Sequence, residues 1–89
     1  QSMLYYRYME NTDIKIQQKT LEGYFQDYEI TDADLKMKII PEINQMVYDR
    51  NEAIRKLEDA EIEEYQKEQL AQEVTELDEY IKKVFAKMV

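Results

Sequence analysis

Cysteine, histidine and tryptophan are all absent from this 89-residue chain. Without cysteine there is no disulfide to staple the fold and no thiol chemistry, a composition suited to a reducing compartment, so the expected location is cytoplasmic. Without histidine the chain lacks the commonest general base and the commonest zinc ligand. Serine–histidine and cysteine–histidine catalytic arrangements are excluded, as are the Glu-x-x-His pairs of di-iron bundles. Glycine and proline occur once each. One glycine cannot build a phosphate-cradling loop or a dinucleotide fingerprint. No apolar run approaches the roughly 20 residues that span a bilayer. Positive charge is also scarce. Twelve bases stand against 20 acids, for a net charge of −8, and such a surface repels phosphate backbones and anionic lipid heads. The expectation is therefore a chain with no cofactor, no metal, no catalytic residues and no direct contact with nucleic acid, that is, not an enzyme.

The same scarcities favour helices. Sheets and tight turns consume glycine and proline, whereas 44% hydrophobic content is enough for a folded core. Gln1-Ser2-Met3 reads as the remnant of a cleavable expression tag, which leaves residues 4–89 as one helical domain.

Apolar spacing divides that domain into three segments. Leu35, Ile39, Ile40, Ile43, Met46, Val47, Ile54 and Leu57 share one side of a helical wheel. Leu70, Val74, Leu77, Ile81, Val84 and Met88 form a second stripe, with steps of 4, 3, 4, 3 and 4. The two stripes are out of phase, so an unbroken helix cannot bury both against one neighbour, and the chain breaks between Leu57 and Leu70. Charge agrees with the break. Asp32 and Asp34 open the first striped segment and Arg55 and Lys56 close it; Glu63, Glu64 and Glu68 open the next, and Lys82, Lys83 and Lys87 close it. Acids first and bases last oppose a helix dipole. Thr31 reads as an N-cap with Ile30 packed before it. A first, less regular segment carries Leu4, Tyr8, Ile14, Leu21, Phe25 and Tyr28. Helices are expected over about 4–29, 32–57 and 63–88, in an all-α, three-helix up-down bundle. The alternative is an extended coiled coil or helical hairpin completed by dimerisation.

Pro41 tests the middle helix. Leu35 and Ile39 lie in phase with Ile43 and Val47, and the ring projects away from that face. The spacing predicts one helix kinked at Pro41. The rival is a strand over Leu35–Ile39 with a helix starting at the proline.

Three groups are candidates for function. Leu4, Tyr5, Tyr6, Tyr8 and Met9 are apolar around the whole helix circumference, more than one face can bury, and are expected to form a protein-contact surface. Glu58, Asp59, Glu61, Glu63 and Glu64 form an acidic patch, read mainly as a solvated turn with helix-dipole acids. Asp27-Tyr28-Glu29-Ile30-Thr31-Asp32 begins like a calcium loop, but Asp32 and Lys38 occupy the sixth and twelfth positions where such a loop needs glycine and glutamate. A capping turn is the better reading. Arg7 and Arg50 are the only bases within the inward apolar stripes, too few to hold an anionic substrate. The functional expectation is a non-enzymatic protein–protein interaction module: an adaptor, an assembly or secretion chaperone, or an oligomerisation domain. Its partner is a protein or a second copy, with a homodimer favoured. The alternative is an acidic decoy that inhibits a nucleic-acid-binding protein by presenting carboxylates in place of phosphates.

Overall fold

The computed structural model describes residues 17–89, which fold into three α-helices with no strand among them. Helix α1 spans Leu21–Asp27, α2 Ala33–Leu57 and α3 Glu64–Met88. The architecture is all-α. Helices α2 and α3 form an antiparallel pair: Ile39 and Ile43 meet Ile81, Val84 and Phe85 at one end, and Ala53 and Ile54 meet Val74 nearer the turn. Short α1 lies across one flank of the pair, inserting Tyr24 and Phe25 into the larger of these clusters. Each fully buried large apolar side chain contributes about 1.5–3 kcal/mol, so Phe85, Ile39, Ile43 and Ile81 dominate the stability of the pair.

The first helix is shorter than its expected span of about 4–29. The described chain is not helical over residues 17–20, and α1 starts at Leu21 behind its own cap. Thr20 is extended and its Oγ1 accepts from the Gly23 amide at 3.0 Å. Ahead of it, the Asn51 side chain on α2 substitutes for a helix. The Lys19 amide donates to Asn51 Oδ1 at 3.0 Å, and Asn51 Nδ2 donates to the Lys19 carbonyl at 2.8 Å. Lys19 thus satisfies its backbone groups against α2, which removes the drive to continue the helix backwards. The part of the expected helix before residue 17 lies outside the described residues.

Helix α1 ends in a Schellman turn. The Ile30 amide donates to the Phe25 carbonyl at 2.8 Å and the Glu29 amide to the Gln26 carbonyl at 3.1 Å. Glu29 takes the left-handed conformation this turn requires, with φ of 58°, and Ile30 is buried in the same cluster as Phe25. The segment beginning at Asp27 is therefore a capping turn. The N-cap of α2 is Asp32, whose Oδ2 accepts from the Leu35 amide at 3.2 Å, rather than the expected Thr31. Asp32 sits at the right distance before Leu35, and its carboxylate also meets the positive end of the helix dipole.

Helix α2 runs unbroken through Pro41, whose ring is exposed. The strand-then-helix alternative is overturned. Proline leaves the Met37 carbonyl without its helical donor, and Met37 is 71% exposed, on a solvent-facing part of the helix where water can serve instead. The turn at 58–63 needs no glycine because Asp59 organises it: Asp59 Oδ1 accepts from the Glu61 amide at 3.0 Å. Helix α3 then starts at Glu64, with the Gln66 side chain accepting from the Glu63 amide at 3.1 Å. No described helix is long and apolar enough to cross a membrane.

Candidate functional site

Two features of the described residues are candidates for function, one on each flank of the α2/α3 pair. On the α1 flank the centre is Arg50, only 2% exposed although charged. An arginine at this depth must be paired. Its Nε donates to the Asp78 carboxylate on α3, and its Nη1 donates to the Gln17 carbonyl at 2.8 Å. One guanidinium thus ties α2, α3 and the chain entering α1. Beside it, Tyr24 is 5% exposed and its hydroxyl is buried without a hydrogen-bond partner. Burial pushes the Tyr24 phenol up to about 12, with the Arg50 cation pulling the other way and Asp78 adding to the rise. The Lys19 ammonium lies 4.8 Å from the centre of the Tyr24 ring and pairs with Asp27. Tyr24 and Tyr28 both stack on Phe85, with centroids 6.3 and 4.1 Å away.

Lys19, Tyr24, Asp27, Tyr28, Arg50 and Asp78 line an open cleft of about 600 Å³, which also includes Glu79 and Lys82. Among the described residues three bases face three acids there, so their charges balance. Its chemistry is that of a structural tie. The Lys19 and Arg50 cations are paired, and the one phenol whose acidity moves is shifted away from neutrality. The other displaced groups are Glu52, held low chiefly by the hydrogen bond from Arg55, and Arg55 itself, raised by the same bond. Neither sits in the cleft.

On the opposite flank no described helix covers α2 and α3. Helical spacing places Leu70, Leu77 and Val84 of α3 along this side, together with Leu35, Met46 and Ala53 of α2. Leu35, Met46, Leu70 and Leu77 are half-buried, while Tyr80 on the same row is 54% exposed. Two shallow hollows lie along it. One, of about 310 Å³, is lined by Glu42, Tyr80, Lys83, Val84, Lys87 and Met88. The other, of about 300 Å³, includes Asp49, Glu52, Ala53, Lys56, Leu70 and Glu73.

The acidic patch stays together in sequence without converging in space. Glu58, Asp59, Glu61, Glu63 and Glu64 are all exposed around the turn and the first residue of α3, and no group of acids that could hold a metal ion occurs among the described residues. The Asp59 carboxylate accepts from the Glu61 amide, and the Glu63 backbone amide donates to Gln66 Oε1. The expected contact residues Leu4, Tyr5, Tyr6, Tyr8 and Met9 lie outside the described residues. The Arg50–Asp78 tie was half visible in the sequence, since Arg50 stands in an inward stripe; its partner on α3 was not singled out. The flank that no described helix covers was missed because the α3 apolar positions were read as one stripe. The signal was present: Val74, Ile81, Val84 and Phe85 are buried in the interface, whereas Leu70 and Leu77, seven residues apart, are only half-buried to one side. Comparison with family models, with curated proteins and with solved structures finds no match for the chain.

Proposed function

We propose that this chain is a non-enzymatic protein–protein interaction module, acting as an adaptor, an assembly chaperone or an oligomerisation domain. The observation that carries the reading is the asymmetry of the α2/α3 pair. One flank is packed by α1, and the other keeps a row of half-buried apolar side chains with Tyr80 exposed in its midst. Aligned apolar residues between charged rims favour docking of another helical element. Burial of Leu77, Met46 and Tyr80 would supply the affinity, and the charges on either side would set its register.

The test is affinity capture from the native host with the wild-type chain, a Leu77→Glu variant and a Tyr65→Glu control. Tyr65 is as exposed as Tyr80 but lies in the first turn of α3, away from the row's centre. Proteins captured by wild type and control but lost with Leu77→Glu support the reading. Identical capture by all three refutes it. The acidic turn at Glu58–Glu64 favours a second reading, the decoy of a nucleic-acid-binding protein. Salt separates the two: raising it from about 0.1 to 1 M shortens the screening length from about 10 to 3 Å. A decoy complex then dissociates, whereas an apolar seam holds.

A further inference from the structure

We infer that the flank of α2 and α3 that no described helix covers binds a second copy of this chain, docked antiparallel about a two-fold axis close to Tyr80. The inference rests on the interaction-module reading and names its partner. Apolar spacing alone would accept many helices, but the order of charges along this flank selects one arrangement. Interleaved with Leu70, Leu77 and Val84 at the same seven-residue interval are Glu73, Tyr80 and Lys87. An acid lies at one end, a half-exposed aromatic at the centre and a base at the other end. That series is its own complement when reversed.

The hollows repeat the pattern on a larger scale. The one near the end of α3 has two bases, Lys83 and Lys87, against one acid, Glu42. Among the described residues, the one near the turn has Asp49 and Glu73 against one base, Lys56, with a third acid, Glu52, already paired to Arg55. They are nearly equal in volume and flank the central row. Among the described residues Glu73, Lys83 and Lys87 have no ion-pair partner within the chain. An antiparallel two-fold places the basic hollow of each copy over the acidic hollow of the other, and every such contact occurs twice. A parallel arrangement sets Glu73 beside its own copy and Lys87 beside its own, which like charge opposes. Each chain carries a net charge of −8, so two copies repel unless the contact surface itself is matched. This flank supplies such a match. The heptad interval also fits a helix packed on a helix at a shallow angle.

The full chain has no cysteine, which makes the test direct. Tyr80→Cys places a thiol beside the axis, and Tyr65→Cys places one fifteen residues along α3, about 22 Å away. A short bismaleimide should convert Tyr80→Cys to covalent dimer and leave Tyr65→Cys largely monomeric. In sedimentation equilibrium Glu73→Lys or Lys87→Glu should each weaken self-association about tenfold, since each replaces two matched pairs by two repulsions, and the double reversal should restore it. Circular dichroism confirms that the surface variants fold. A wild-type chain that stays monomeric to about 1 mM overturns the inference. So does a dimer that ignores both the charge swap and the crosslinking position, since its contact then lies elsewhere. In either case capture that is lost with Leu77→Glu leaves the module reading standing, whereas capture indifferent to that change removes it as well.

Discussion

Tyr24→Phe should make the protein more stable, and the gain should grow with alkaline pH. The Tyr24 ring is well placed, 5% exposed and stacked on Phe85. Its hydroxyl is buried with no partner. A buried hydroxyl left without a hydrogen bond costs about 1–3 kcal/mol relative to one left in water. Phenylalanine keeps the ring and removes the oxygen, at the loss of a few dispersion contacts. The expected net gain at neutral pH is about 1 kcal/mol. The pH term adds to it. The phenol is raised to about 12 from 10.0, first by burial. Because the folded value lies above the unfolded one, the unfolded chain loses its proton first as pH rises. The wild-type stability is therefore intact below pH 10 and declines through the window between about 10 and 12. At pH 11 the loss from this one group is about 1.4 kcal/mol. The variant lacks it. Urea melts of both proteins at pH 7, 9 and 11 measure the difference, and other lysines and tyrosines cancel between them. A variant less stable by about 1 kcal/mol or more at pH 7 would mean that the hydroxyl is hydrogen-bonded, removing the premise. A stability difference that stays flat from pH 9 to 11 would mean that the phenol ionises as it does in the unfolded chain.

Two further predictions concern the helices. Ile81→Ala should cost about 2–5 kcal/mol, because Ile81 is 1% exposed in the main cluster, and Leu77→Ala should cost under about 2 kcal/mol, because Leu77 is half-buried on the open flank; equal losses in denaturant melts would place both in one core. Pro41→Ala should be neutral or stabilising, up to the roughly 3 kcal/mol by which proline disfavours an unstrained helix interior. Thermal unfolding that shows a clear loss would mean that the proline sets a backbone angle the helix needs.

The two long helices were legible in the sequence because several signals coincide there. Ile39, Ile43, Val47 and Ile54 recur on one face, the acids and bases sit at opposite ends, and the structure buries all four residues. The phase shift between the two apolar stripes located the turn, and α3 begins at Glu64, one residue from its expected start. The first helix was misread because apolar spacing cannot see a competing backbone partner. Leu21, Phe25 and Tyr28 are spaced correctly, yet Asn51, thirty-two residues away from Lys19, takes up the amide and carbonyl that a longer helix would have used. Thr20 was a cap signal in plain view, outweighed by the apolar residues on either side of it. Phe85 escaped notice for a related reason. It lies beside the regular stripe of α3, and only the arrival of α1 turns that side of the helix into core, where Tyr24, Phe25 and Tyr28 surround its ring.

The same one-sidedness explains why the candidate site took form only in three dimensions. A pair of amphipathic helices has two flanks, and nothing in either helix alone says which of them a third element will cover. Helix α1 covers the side where Asp78 meets Arg50, so the charges on that side become an internal tie. The charges on the other side, Glu73 and Lys87 among them, keep no partner within the described chain. The seven helical positions of α1 are too few to wrap around both flanks, since a helix of that length is only about 10 Å long. Among the described residues, the row is therefore left without a covering helix. Its half-buried leucines are what two helices present on a side that α1 does not reach, and its charge order is the feature that the proposed second copy would match.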